Sequence, residues 1–277
     1  MSRIAHHPMI WVGGVILAAV VAASAAAPWL APADPVRPSF AQRLRPPQGL
    51  GGIAAHPLGT DNLGRDILAR LLYGGRLSLV LAAGAVALAA GVGVLVGLLA
   101  GLVGGRLDDL VMRLADVQLA CPVIMLAIAI VAVVGTSPAA LVSVLALSGW
   151  VLYARTVRAA VLTIRETDYV EAARTLGAGD VRLVTRHILP NTLAPILVLA
   201  SSQFATMVLL ESGLSFLGLG LQPPQPSWGL MLAEGRDYLS NAWWLATVPG
   251  IAISLVVLGA NLLGDGLRDL LDPRLRQ

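Results

Sequence analysis

Few side chains in this 277-residue chain have the type and spacing for chemistry, and most of them sit in one stretch. Residues 168–191 read DYVEAARTLGAGDVRLVTRHILPN. Arg174, Arg182, Arg186, His187, two aspartates and a glutamate fall here, with long apolar runs on both sides. No Ser–His–Asp set, paired carboxylates or His-rich ligand cluster accompanies them. Nucleophilic and acid–base catalysis therefore have no recognisable group to use. The four histidines are His6, His7, His56 and His187. A single cysteine, Cys121, excludes an intrachain disulfide and argues against a cysteine metal site.

The pattern offers docking instead. Asp168 and Glu171 have the spacing of a helix-starting capping box, with Asp in the usual Ser/Thr place. Tyr169, Ala172, Ala173 and Leu176 then share one helical face, and Asp168, Glu171, Arg174 and Thr175 lie away from it. Gly177-Ala178-Gly179 closes the helix, because glycine tolerates the left-handed conformation of a C-terminal cap. Asp180 is placed to cap a second helix. There Val181, Val184 and Ile188 share a face, with Arg182 and Arg186 outside. Leu189-Pro190 stops that helix as the next apolar run begins. The small Ala172 and Ala173 would let a partner surface approach closely. An ordinary amphipathic loop that clamps its own helices would show the same pattern.

The elements that must hold this stretch are apolar. Hydrophobic residues make up 57% of the chain and charged residues 13%, with a mean hydropathy of +0.79. A soluble domain is about 45–50% apolar and about 25% charged. Six runs approach the roughly 20 apolar residues that cross a bilayer: 9–27, 77–103, 110–134 (interrupted by Asp116 and Pro122), 138–157, 192–214 and 243–263. They are expected to be helices, since hydrocarbon leaves no other partner for backbone polar groups. The first run, with Arg3 before it and Ala23-Ser24-Ala25 near its end, also has features of a signal peptide; its length favours a retained span. In the second, Gly84, Gly91, Gly93, Gly97 and Gly101 would permit close helix packing. Arginine bias places the N-terminus, the C-terminus and residues 168–191 on the cytoplasmic side. All nineteen basic residues are arginine. A P-loop of the form GxxxxGK[ST] is thus impossible here, and any ATP-binding site of that kind belongs to another chain. No basic–aromatic stripe suggests nucleic acid.

Two carboxylates, Asp116 and Glu211, fall within apolar runs, where an unpaired charge is costly. Arg113, three residues before Asp116, is placed to pair with it. Glu211 has no local cation and is read either as lining a path near its outer end or as facing the outer interface. Gln203 and Ser201-Ser202 on the same run would line a path or act as helix–helix glue. Two long connections face outward. In the first, residues from Asp66 onward set Ile67, Leu71 and Leu72 against Arg65, Asp66 and Arg70, which suits a helix lying at the interface. The second, 215–242, reads as a folded cap or as a plain connector anchored by aromatics.

Glu171-Ala172-Ala173, then Gly177, then Leu189-Pro190 resemble the EAA motif of ABC importer permeases. His187 stands where the general pattern has isoleucine, with Ile188 beside it. HPLGTDNLGRDILARLLYG (56–74), MRLADVQLACP (112–122), LSFLGLGLQPPQPSWG (214–229) and NLLGDGLRDLLDPR (261–274) are similar to the dipeptide/oligopeptide/nickel permease family, in the form of its second permease subunit. The resemblance implies an all-α polytopic protein with six transmembrane helices and a type I importer fold. Residues 1–76 would hold the first span and an external loop. Residues 77–277 would form a five-helix core with a coupling segment, 165–191, and an external cap, 215–242. It implies a non-catalytic subunit of the bacterial inner membrane that passes short peptides, or nickel or its chelates. Its partners would be a homologous permease, two ATPase subunits carrying ATP and Mg, and an extracytoplasmic binding protein; the chain itself would need no cofactor. Tyr169, Glu171, Ala172, Ala173, Leu176, Gly177, Asp180, Leu189 and Pro190 would couple to an ATPase, and Asp116, Gln203 and Glu211 would border the path. An ion-coupled secondary transporter using Asp116 and Glu211 is the reading from another class.

Overall fold

The computed structural model describes residues 8–271, which are helical apart from irregular connections. Helix α1 (Pro8–Ala25) is apolar all round and packs into the bundle through glycine. A Cβ on Gly13 would lie 2.6 Å from the Gly259 carbonyl oxygen of the last helix, so the two backbones touch. A single turn, α2 (Ala27–Leu30), follows. Residues 31–66 then fold over this end of the bundle, here termed the cap end.

Helix α3 (Ile67–Val103) has 37 residues. At 1.5 Å per residue it spans about 56 Å, far more than the roughly 30 Å hydrocarbon core. The expected interfacial helix does not exist as a separate element. Its residues are the first turns of α3, started by Asp66, whose carboxylate accepts the Ala69 amide at 2.7 Å. Ile67 and Arg70 are both almost fully buried. The amphipathic pattern is real, but its charged side meets ion-pair partners rather than headgroups.

The third apolar run is broken. Helix α4 (Gly105–Ala120) and helix α5 (Val123–Val134) meet at 92°. Pro122 disfavours a helical conformation at the residue before it, and Cys121 is extended, with φ −87° and ψ 122°. Helix α6 (Pro138–Arg165) is capped by Ser137, whose Oγ accepts the Ala140 amide, and runs eight residues past the expected end. It lies along α3. Gly93, Gly97 and Gly101 leave room for the α6 backbone and for Tyr153, Val157 and Val161. Gly91 faces open space, and Gly84 makes only ordinary contact with Val142.

After α6 come the short helices α7 (Asp168–Thr175) and α8 (Asp180–Leu183), a π turn (Val184–Ile188), and α9 (Leu189–Phe216). Helix α10 (Trp228–Arg236) lies over the cap end, and α11 (Trp244–Leu271) returns. Among the described residues five helices, or six spans if the bent pair counts as one, are long and apolar enough to cross a membrane. The main core joins α3, α6, α9, α10 and α11 around residues such as Leu145, Met207, Trp228 and Val256.

Candidate functional site

The stretch 168–191 forms two helical pieces at the end opposite the cap. Helix α7 follows α6 after only Glu166 and Thr167. No capping box forms. Thr167 takes the N-cap position, its hydroxyl donates to the Ile164 carbonyl at 2.6 Å, and Asp168 is already helical. The helix ends as expected. Gly177 has φ +87°, the Ala178 amide reaches the Ala173 carbonyl at 3.0 Å, and the Gly177 amide reaches Arg174 at 2.9 Å. Those two bonds define a Schellman cap.

Val170, not the expected face, anchors α7, with 1% of its surface exposed. Tyr169, Ala172 and Leu176 are exposed, Leu176 at 89%, and Ala173 is half-buried. The apolar face therefore exists but is turned outward. Glu171, Arg174 and Thr175 line a cavity of about 600 Å³ with Arg165, Glu166 and Leu102. The Arg165 guanidinium also donates to the Gly101 carbonyl at 3.0 Å, which fastens the foot of α6 to the end of α3.

Pro190 does not stop a helix. The backbone runs on from α8 through the π turn into α9, with Pro190 in the first turn of α9. Proline lacks an N–H, and its ring crowds the carbonyl four residues back; the turn immediately before it is a wider π turn. Leu189 bonds back to the Val184 carbonyl across this wider turn. In the second piece Ile188 is buried, Val184 is half-buried, and Arg182 and Arg186 are exposed, as expected. Leu183, also buried, was not foreseen. The side chains of Asp180 and Val181 lie outside the described residues.

Asn191, which the sequence did not single out, braces the pair together with His187 and Tyr169. The rings of Tyr169 and His187 meet with centroids 5.9 Å apart. The Asn191 side-chain amide donates to the His187 carbonyl at 2.6 Å and to the Tyr169 hydroxyl at 3.3 Å. The i, i+4 spacing of His187 and Asn191 was the available signal. Their meeting with Tyr169 depends on how the elbow folds.

Asp116 pairs with Arg155 of α6 rather than with Arg113. Helix α4 turns that face toward α6, and Asp108 likewise forms a two-pronged pair with Arg158. Gln203 and Glu211 are closed inside the chain, at 6% and 0% exposure. Glu211 accepts the hydroxyls of Ser215 at 2.9 Å and Ser212 at 3.4 Å. At the cap, Asp61 binds Arg65 at 2.6 Å and Arg70 at 2.5 Å, and Glu234 of α10 binds the same two arginines. The indole N–H of Trp228 donates to the Leu71 carbonyl at 2.9 Å. The stretch 215–242 is thus a folded cap, packed into the core. No group of three or more His, Cys, Asp or Glu able to hold a metal occurs among the described residues.

The bundle is similar to a solved structure titled "Inward facing conformations of the MetNI methionine ABC transporter: CY5 native crystal form". The TM-score is 0.59 over 73% of this chain and 96% of that one, at 22% identity. The fold is that of an ABC transporter permease. Residues 93–277 match the family described as "Binding-protein-dependent transport system inner membrane component", and residues 1–47 match "N-terminal TM domain of oligopeptide transport permease C". The chain is 46% identical over 273 residues to the di/tripeptide transport system permease protein DppC of Pseudomonas aeruginosa, covering 98% of this chain and 90% of that protein. It is 45% identical to the dipeptide transport system permease protein DppC of Escherichia coli, covering 96% and 89%. For the probable D,D-dipeptide transport system permease protein DdpC of Escherichia coli the identity is 39%, covering 96% and 88%. The chain belongs to the binding-protein-dependent transport system inner membrane component family and is a multi-pass membrane transport permease.

Proposed function

We propose that this chain is one of two permease subunits of an ATP-driven importer of short peptides. An extracytoplasmic binding protein delivers the peptide at the cap end. Two ATPase subunits, which hold ATP and Mg, dock at the other end. Peptide as cargo rests on the three relatives named as peptide permeases. The absence of lysine, and with it of a lysine-bearing P-loop, supports separate ATPases. The arginine bias supports cytoplasmic termini and a cytoplasmic α7.

One observation carries the coupling role: the exposed helix pair is braced internally and is continuous with two spans. It joins α6 through two residues and α9 through unbroken helical backbone. A partner that grips Tyr169, Ala172 and Leu176, and reaches Glu171 in its cavity, would move the feet of α6 and α9 together. Rigid-body tilting of those spans then alternates access between the two sides.

The test is reconstitution of the complex in proteoliposomes with its binding protein. Glu171→Arg and Gly177→Asp are each expected to assemble yet to lose peptide-stimulated ATP hydrolysis and uptake. Normal transport by both variants would remove these residues from coupling. Uptake by this chain alone under an ion gradient would favour a secondary transporter.

A further inference from the structure

Helices α9 and α11 touch where Gly264 faces Ser201: a Cβ on Gly264 would lie 2.5 Å from the Ser201 hydroxyl oxygen. Beyond that contact, toward the end opposite the cap, the two helices leave a groove of about 350 Å³ between them. Ala194, Pro195, Val198 and Leu199 of α9 form one wall, and Leu271 and Arg268 of α11 form the other. Ser202 closes the groove on the cap side, and its hydroxyl donates to the Leu199 carbonyl at 3.0 Å. The lining is therefore apolar except for one cation.

The Arg268 guanidinium is not used inside the chain. Among the described residues it forms neither an ion pair nor a hydrogen bond, although Asp265 and Asp269 are close to it in sequence. A basic residue in the last turn of a helix suits the helix dipole, and Arg268 is one. The dipole still leaves its N–H donors unmet. The depth of this cation decides what meets it. Trp243, about half exposed, and Trp244 stand at the start of α11, the place of an interfacial aromatic belt. Counted from Trp244, Arg268 lies 24 residues further on. That is about 36 Å along the helix, just past a hydrocarbon core of about 30 Å. The guanidinium thus stands at headgroup level. From Pro195 to Ser202 the α9 wall runs about 10 Å toward the cap, inside the core.

A cation at headgroup level above an apolar groove matches a phospholipid with net negative charge. The planar guanidinium fork suits phosphate oxygens, and an acyl chain suits the walls. Basic pockets between spans bind such headgroups. A protein helix would cover the same walls, but it would need a carboxylate placed at the level of Arg268; a lipid carries its anion at that level already.

We propose that the groove between α9 and α11 is a binding site for an anionic phospholipid, with the phosphate on Arg268 and an acyl chain against Pro195, Val198 and Leu199. The site stands apart from the cargo and from the coupling role proposed above, and it holds lipid beside the first turns of α9.

The test uses the assembled complex in nanodiscs of phosphatidylglycerol and phosphatidylcholine in equal amounts. The photo-crosslinking amino acid benzoylphenylalanine replaces Leu199 in the groove or, as a reference, Leu197, which is exposed and outside the lining. Adducts formed on irradiation are identified by mass spectrometry. At position 199 phosphatidylglycerol adducts should outnumber phosphatidylcholine adducts about fivefold, the preference that one basic residue gives near a membrane surface. At position 197 the two should be equal. Arg268→Gln should abolish the preference at 199, and Arg268→Lys should keep most of it. Millimolar inorganic phosphate should lower it no more than matched sodium chloride does. A specific loss with phosphate would assign Arg268 to the free anion and overturn the lipid site. A crosslink from 199 to another subunit, equal adducts at both positions, or a preference that survives Arg268→Gln would also overturn it. A probe at Leu271 reads the same groove from α11 and decides the matter if the variant at 199 does not assemble.

Discussion

Glu211 and Tyr153 are both fully buried polar residues, and their surroundings differ. The Glu211 carboxylate gathers the hydroxyls of Ser212 and Ser215, and Ser215 in turn accepts the Leu221 amide at 3.4 Å. One side chain thus ties the chain beyond α9 back onto the helix. Glu211→Ala should strand these hydroxyls, at about 1–3 kcal/mol for each group left unsatisfied, and should lower the thermal midpoint of the purified complex. Among the described residues the Tyr153 hydroxyl has no hydrogen-bond partner. Tyr153→Phe removes an unmet polar group from a packed site, so the same melting measurement should show an equal or higher midpoint. A fall as large as that of Glu211→Ala would mean the hydroxyl is bonded.

Helix α3 packs along α6 because its small residues recur every fourth position. A Cβ on Gly97 would lie 2.5 Å from the Ala154 carbonyl oxygen, which is backbone and cannot swing away. Gly97→Ala should therefore force the helices apart, at about 1–3 kcal/mol for overpacking. Among the described residues Gly91 meets nothing within 4 Å, and Gly91→Ala should be neutral or mildly stabilising, since alanine is the better helix former. Detergent stability of the two variants, measured side by side, checks the pair; equal losses would contradict the packing. The glycine pattern announced close approach, but it did not say which glycines were used. That choice follows from the side of α3 that α6 covers. The π turn was equally hidden. Pro190 signals a helix end, and only continuity of the backbone into α9 turns that signal into a wider turn.

Across the whole molecule, the cap end is held by charges far apart in sequence. Asp61 binds Arg65 and Arg70, accepts the Leu63 and Arg65 amides, and shares both arginines with Glu234. Asp61 and both arginines are nearly fully buried. Asp61→Ala should leave two buried guanidinium groups to one carboxylate, at about 3–5 kcal/mol, with poor recovery of assembled complex. Arg236 and Asp237 form an exposed pair, with 61% and 72% of their side chains exposed. Arg236→Ala should change stability by about 0–1 kcal/mol. Comparable losses in the two variants would argue against a buried cluster.

The sequence alone determined the membrane class, five of the six apolar runs as spanning helices, the glycine elbow and the family resemblance. Each of these depends on local composition or on spacing along one helix. Run length fixes a span, a left-handed glycine fixes a cap, and the absence of lysine excludes a P-loop whatever the fold. Tertiary structure alone decided the partners. Asp116 pairs with Arg155 rather than the neighbouring Arg113, because α4 turns that side toward α6. The charged turns at the start of α3 fold into the cap rather than lying on lipid, because Asp61 and Glu234 arrive from elsewhere. Tyr169 meets His187 and Asn191 only because the elbow reverses the chain. Spacing along a helix records which residues share a face; it carries no information about what another segment brings to that face.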